Sequence, residues 1–257
     1  MALPARIQES APETLPETSP TPVVAVGLRG DDKRHFVRGV FDRLAGRYDA
    51  MNLLISLGQT SWWRWRSLKA LPLHAGMRIL DVGCGTGWVV RHLAGRAPDA
   101  TIEGMDLSEG MLIEARARDP QATYFQGDVT DIPREDGSYD LVTTVFTLRN
   151  FPDLDASLDD MVRVLGPGGR IFILDGFPPQ GPALWRGFHA LWMRHIVPLL
   201  VRPFADHRSF RYLAESILRH VTPDEVARRL EARGLTVERI HRFGLGSAAA
   251  ITARRAS

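Results

Sequence analysis

The chain has 257 residues, 44% of them hydrophobic and 24% charged, with a net charge of +2. That length can bury a sizeable core, and the near-neutral balance does not point to a dedicated nucleic-acid binder. The single cysteine, Cys84, excludes an internal disulfide and fits a reducing compartment.

Residues 1–30 carry five prolines among scattered Ser, Thr and Glu. They read as a disordered extension without the apolar core of a secretion signal, and order is expected from Asp31. Residues 33–47 predict a helix with Phe36, Val37, Val40, Phe41 and Leu44 on one face. A second helix is expected over 53–71, ended by Pro72.

From Met77 strands and helices alternate. Strands are expected at 77–82, 101–106, 122–126, 139–146 and 169–175, and helices at 87–96, 108–118 and 154–165. Gly166-Pro167-Gly168-Gly169 reads as the turn into the fifth strand. Such alternation implies a parallel sheet with right-handed crossovers and helices on both faces. Residues 180–220 leave the pattern: an apolar helix over 183–201, then another over 209–220. Thr222-Pro-Asp-Glu opens a capped helix that ends before Gly234, and strands near 235–243 and 247–253 complete the sheet. No run reaches the about 18 apolar residues of a membrane span.

Charge is uneven along the chain. Residues 180–257 hold 13 Arg, no Lys and 6 Asp or Glu, a balance of +7, so the rest carries −5. This end reads either as a solvated helical surface or as a contact for anionic lipid head groups.

The most informative run is Ile79-Leu-Asp-Val-Gly-Cys-Gly-Thr-Gly87, with Asp106 at the end of the next strand, 19 residues beyond Gly87. Glycines let backbone approach a ligand closely, and a strand-end carboxylate can accept hydrogen bonds from ribose hydroxyls. The spacing is G-x-G-x-G, unlike the dinucleotide fingerprint, and no Lys follows Gly87 as a phosphate loop requires. With Asp128 after the third strand, the pattern points to a nucleoside cofactor held at the carboxyl ends of the strands. Asp106 could instead cap a helix, although Ser108 is the better cap, and Asp128 could serve only its own turn. Cys84 reads as a small residue suited to a tight turn. None of the eight histidines has metal-ligand spacing, so no metal is expected.

Leu80 to Gly87, followed by Gly104-Met-Asp-Leu-Ser-Glu-Gly-Met-Leu112, resembles class I S-adenosylmethionine-dependent methyltransferases. Tyr48-Asp-Ala-Met-Asn52, Leu148-Arg-Asn150, Arg163 to Arg170 and Phe210-Arg-Tyr-Leu-Ala-Glu-Ser-Ile217 narrow the resemblance to the ubiquinone/menaquinone biosynthesis C-methyltransferases. The resemblance implies a Rossmann-like α/β fold with a mostly parallel seven-stranded sheet and a helical cap from 31–74 and 180–220. It implies S-adenosylmethionine as cofactor: Gly83, Gly85, Thr86 and Gly87 at the methionine part, Asp106 on the ribose, Leu107 and Met111 at the adenine, Asp128 and Val129 at its edge, and Val145 beneath the methionine. Arg149 and Asn150 would meet the acceptor, and Tyr48 and Tyr212 could close over it or be core aromatics.

A fixed guanidinium at Arg149 could stabilise a phenolate, which supplies the electron-rich carbon that methylation needs. Its alternative is a surface ion pair with Asp153 or Asp155. Asp128, Tyr48 and water stay open as the general base. The expected acceptor is an isoprenoid quinol, reached at the cytoplasmic face of a membrane by a protein that contacts it peripherally. A soluble acceptor, a non-catalytic scaffold and a homodimer stay open. The chain departs from the family at Thr60 (usually His), Trp88 (Asp), Gly166 (Lys) and Asp175-Gly176-Phe177 (Glu-x-Ser).

Overall fold

The computed structural model describes residues 27–197, 199 and 207–257; side chains 207–211 and 213 are outside that description. The expectation of disorder therefore falls, for residues 1–26, outside the described residues, as do 198, 200 and 201 of the expected 183–201 helix. The elements in chain order are α1 (Gly30–Leu44), α2 (Tyr48–Ile55), α3 (Gln59–Lys69), β1 (Arg78–Val82), α4 (Trp88–Ala94), β2 (Thr101–Asp106), α5 (Glu109–Arg118), β3 (Thr123–Gln126), β4 (Tyr139–Val145), α6 (Leu154–Arg163) and β5 (Leu165–Gly176). Then come α7 (Ala183–Leu191), which runs into a π-helical turn (Trp192–Ile196), α8 (His207–Leu218), α9 (Pro223–Glu231), β6 (Leu235–Phe243) and β7 (Ala248–Arg255).

The seven strands form one sheet in the order β3-β2-β1-β4-β5-β7-β6. β1 to β5 pair in parallel, and β7 runs antiparallel to both β5 and β6. This is the Rossmann-like α/β fold of class I methyltransferases. One face buries Leu158 and Met161 of α6 and Val226 and Leu230 of α9 against Ile171, Ile173 and Ile251. The other buries Leu68 of α3 and Leu93 of α4 against Ile79, Leu141 and Phe172. A further apolar cluster joins α1 and α2 to Met193, Val197 and Tyr212. It lays helices from distant parts of the chain together beyond the carboxyl ends of the strands.

The local boundaries differ from expectation in three places, each for a backbone reason. The expected helix over 53–71 is two helices, because Leu57 (φ 48) and Gly58 (φ 79) turn left-handed. The Gly58 amide donates to Leu53 O at 3.0 Å, a helix-ending closure. Gly166-Pro167-Gly168-Gly169 is not a turn ahead of the strand but an irregularity within a longer β5, where the register to β4 shifts between Tyr139 and Leu141. The expected 33–47 helix ends at Leu44 and tightens into a 3-10 turn over Ala45–Arg47.

Helix starts follow the expected chemistry. Asp153 Oδ1 accepts from the amides of Asp155 and Ala156 at 3.0 and 3.1 Å, and Thr222 Oγ1 accepts from Glu225 N at 3.2 Å. Several arginines of the Arg-rich end are held in ion pairs or on carbonyls within the fold. Arg229 and Arg233 on and beside α9 bind Asp155 and Asp159 of α6, and Arg242 binds Asp224. Arg254 and Arg255 donate to the Gly168 and Leu165 carbonyls.

Gly87 shows how tightly the loop is built. Its φ is +78, and a Cβ there would lie 2.3 Å from the Tyr124 hydroxyl oxygen. Gly87→Ala is expected to destabilise the fold by about 1–3 kcal/mol. In thermal melts, adding Tyr124→Phe should recover part of that loss; a double variant no better than Gly87→Ala alone would show that the hydroxyl is not the obstacle.

Candidate active site

β1 has β2 on one side and β4 on the other, so chain connections diverge there and leave a crevice at the strand ends. The loop after β1 crosses this crevice. Gly83 and Cys84 amides both donate to Met105 O, at 2.7 and 2.9 Å, which ties the loop to the end of β2. Gly83 must be bare, since a Cβ would sit 2.5 Å from Thr147 Cγ2; at Gly85 (φ +54) the missing Cβ leaves open space. Thr86 Oγ1 donates to Asp49 Oδ2 at 2.9 Å, joining the loop to α2.

A cleft with about 920 Å³ of empty space, open solvent included, lies over this loop. Gly83, Gly85, Thr86, Asp106, Leu107, Met111, Asp128, Val129 and Val145 all line it, together with Tyr48 and Asn150. Gly87 does not. It stands behind the loop as the left-handed residue that opens α4, against Tyr124.

Asp106 Oδ2 accepts from Gly85 N at 2.8 Å and Oδ1 from Ser108 N at 2.9 Å. The helix cap itself is Ser108, whose hydroxyl accepts from Met111 N at 3.1 Å. A carboxylate has room for further donors, so Asp106 can brace the loop and still accept a ligand hydroxyl. Asp128 is more occupied: Oδ1 accepts from the amide and hydroxyl of Thr130, both at 2.8 Å, and Arg34 pairs with Oδ2. The turn role weighed for Asp128 is thus present. Cys84 is buried and its thiol is pushed well up by desolvation, the opposite of an activated nucleophile.

A second cavity, with about 1310 Å³ of empty space, adjoins the first; Asn52 and Phe146 line both. Its wall is aromatic and aliphatic, with Trp63, Trp185, Phe188, Trp192, Met193 and Ile217, and Arg149 lines it. Arg149 is not on the surface and does not pair with Asp153 or Asp155. It pairs at 2.6 Å with Asp175, the side chains being 7% and 0% exposed. Arg149 Nη1 also donates to Phe146 O at 2.7 Å, whereas its Nε is buried without a hydrogen-bond partner. Asn150 Oδ1 accepts from Tyr212 Oη at 3.3 Å, leaving its Nδ2 unpartnered. Tyr212 is fully buried on Phe36 at 5.0 Å and lines neither cavity, so it is a core aromatic. Tyr48 packs edge-on to Phe41 at 5.7 Å and keeps a place in the first cleft.

Two of the family departures fall on these walls. Thr60 lines the second cavity and shares a 2.8 Å hydrogen bond with Ser56. Trp88 lines the first, stacked on His92 at 5.0 Å. Two wall residues went unread in the sequence, Arg64 and His189, and so did Asp175, which holds Arg149 from outside both cavities. Asp175 lay within a stretch noted only as a departure, and no spacing pairs it with Arg149.

The ubiE/COQ5 methyltransferase family model matches residues 29–255. The chain belongs to that family. It is 34% identical over 211 residues to a demethylmenaquinone methyltransferase of Thermotoga maritima, covering 82% of this chain and 92% of the relative. It is 35% identical over 220 residues to that of Deinococcus radiodurans, covering 83% and 91%. Among solved structures it is similar to an S-adenosylmethionine-dependent methyltransferase from Mesorhizobium loti, with TM-score 0.57 and 24% identity over 75% of this chain and 97% of that one. A methyltransferase from Aquifex aeolicus gives TM-score 0.54 at 20% identity, covering 74% and 88%. These likenesses carry the fold; the family match and the relatives make the chain a methyltransferase.

Acids crowd the first cleft of this methyltransferase. Burial pushes Asp81 up to about 7 and Asp106 up to about 6, with Thr143 on Asp81 and backbone amides on Asp106 opposing the shift. A carboxyl raised on folding contributes stability that is complete below its ordinary range and lost as pH rises through its folded value. Asp81→Asn should therefore gain stability over wild type, with a larger gain at pH 8 than at pH 5 in thermal melts. An equal difference at both pH values would mean that Asp81 titrates normally.

Proposed function

We propose that the enzyme transfers a methyl group from S-adenosylmethionine to a ring carbon of a demethylated isoprenoid quinol. The residues of the first cleft suit that cofactor. Gly85 leaves the space a Cβ would fill, Asp106 offers acceptor capacity to ribose hydroxyls, and Leu107, Met111 and Val129 supply apolar contact for an adenine. Gly83 and Thr86 would border the methionine part with Val145, and Asp128 would lie at the adenine edge beside Val129. The bound cofactor supplies an electrophilic methyl group on a sulfonium.

The observation that carries the reading is the buried, unpartnered Nε of Arg149, a residue that lines the aromatic cavity adjoining the cofactor cleft. Arg149 holds the acceptor's ring oxygen as the oxyanion. The negative charge enriches the adjacent ring carbon, where the new carbon–methyl bond forms and the ring proton then leaves. Guanidinium suits the task because it keeps its own proton. Its charge is directed at the oxygen in a water-poor site, where such stabilisation is strongest. Asn150, with its unpartnered Nδ2, is a second donor at the junction. Asp128 is engaged by Arg34 and Thr130, so water is the better acceptor of the departing proton.

The acceptor's tail would be drawn from a membrane surface. Among the described residues no helix is long and apolar enough to cross a membrane. Leu57 and Phe188 of the second cavity are 63% and 52% exposed, and Leu184 and Leu191 on α7 are exposed beside them. An apolar rim around an apolar cavity supports peripheral contact.

Incubation with methyl-labelled S-adenosylmethionine and reduced demethylmenaquinol should put label into the lipid extract. Arg149→Lys keeps the charge but not the fork, and should lower turnover about 100-fold with cofactor affinity unchanged. Label confined to a soluble acceptor, or full activity of Arg149→Lys, would overturn the acceptor assignment or the arginine's role respectively.

A further inference from the structure

Arg64 lies in the middle of α3 and lines the first cleft, half-buried. Its guanidinium carbon is 4.9 Å from the Trp88 ring centre and 5.9 Å from that of Phe146. Aromatic faces attract a cation but accept none of its five N–H bonds in the manner of a carboxylate. The Nε is buried without a hydrogen-bond partner, and Arg64 is in no ion pair among the described residues. Desolvation lowers its pKa, and Tyr48 and Asp49 only partly oppose that. A cation withdrawn from water without a counter-charge is costly, which marks a group whose partner arrives from outside.

The cleft's own acids are committed. Asp49 Oδ2 accepts from Thr86 Oγ1 at 2.9 Å and from Arg118 Nη1 at 3.1 Å. Asp81 Oδ1 accepts from Thr143 Oγ1 at 2.6 Å, and both oxygens of Asp106 hold loop amides. One cleft therefore carries an unspent guanidinium together with Asp81 and Asp106. A cavity that presents both signs of charge fits a zwitterion, and an amino-acid head group is one.

We propose that Arg64, laid over Trp88, is the anchor for the carboxylate of the cofactor's amino-acid end. The assignment rests on the first cleft being the S-adenosylmethionine site. It also accounts for Trp88 where the family usually has Asp: an acid there would offer Arg64 a resident partner, whereas an indole face attracts the guanidinium and leaves its N–H bonds to the ligand. The acceptor's oxyanion is a poorer occupant, because Arg64 does not line the aromatic cavity and Arg149 does.

Decarboxylated S-adenosylmethionine lacks only the group in question. Calorimetry should show wild type binding S-adenosylmethionine about 30-fold or more tighter than the decarboxylated analogue. Arg64→Gln should bind the two with equal affinity, near that of wild type for the analogue, and Arg64→Lys should keep part of the preference. Equal binding of both by wild type, or an undiminished preference in Arg64→Gln or Arg64→Lys, would overturn the assignment while leaving the cofactor site intact. Wild type that binds neither compound would instead overturn the reading of the cleft. Should Arg64→Gln fail to fold, the wild-type ratio and the lysine variant decide the matter.

Discussion

The ion pair between Arg149 and Asp175 is the constraint on which the second cavity depends. Arg149 stands in the 3-10 turn after β4, and Asp175 near the end of β5, the neighbouring strand. Withdrawing both charges from water costs several kcal/mol per ion, so a pair of this kind is weak evidence of added stability. What it adds is position. Asp175 Oδ2 accepts from the Arg149 amide at 3.2 Å and Oδ1 from its Nη1, so one carboxylate fixes both the backbone and the tip of the same residue. Phe146 takes a positive φ of 62, unusual for a bulky residue, and its carbonyl receives another Nη1 bond. Lys33 reaches across from α1 to the Arg149 carbonyl at 3.3 Å. Strain and buried charge coincide near the border of the two cavities, and the Arg149 Nε is left buried without a partner.

This arrangement separates two kinds of chemistry across a short distance. The first cleft is edged by acids whose pKa values are raised, by a bare glycine loop and by one unpaired arginine. The second is a greasy chamber walled by α7, the π-helical turn and α8. Asn52 and Phe146 belong to both. A π-helical turn widens a helix locally and often sits at functional sites, and here it supplies Trp192 and Met193 to the chamber wall. A polar donor and an apolar acceptor can thus each be desolvated in a matching environment and still meet at one border.

The sheet was legible because buried parallel strands are written as short apolar runs between glycines and acids. Met77 to Val82 and Ile102 to Met105 announce themselves, and Asp106 marks a strand end. Helix starts set by capping at Ser108 and Thr222 were also readable. The Leu57-Gly58 break was not, since a left-handed leucine has no sequence signature beyond the glycine after it. Residues that line the loop cleft were found through the motif, but Gly87 was grouped with its neighbours although its bareness serves Tyr124 and not the cleft. Asp175 and Arg64 escaped for a different reason. Each acquires its meaning from a group 26 or 24 residues away, Arg149 or Trp88, which topology brings close and periodicity does not encode. The same holds for Arg229 and Arg233, whose partners on α6 lie more than 70 residues away in sequence.

A crystal structure with S-adenosylhomocysteine and a short-tailed demethylnaphthoquinol would test the central claim most directly. The account predicts the ribose hydroxyls on Asp106, the quinol ring in the aromatic chamber with one ring oxygen within hydrogen-bonding distance of Arg149 Nε, and the Arg149–Asp175 pair unbroken. A ring bound elsewhere with that Nε still unpartnered, or an adenosyl group away from Asp106, would contradict it.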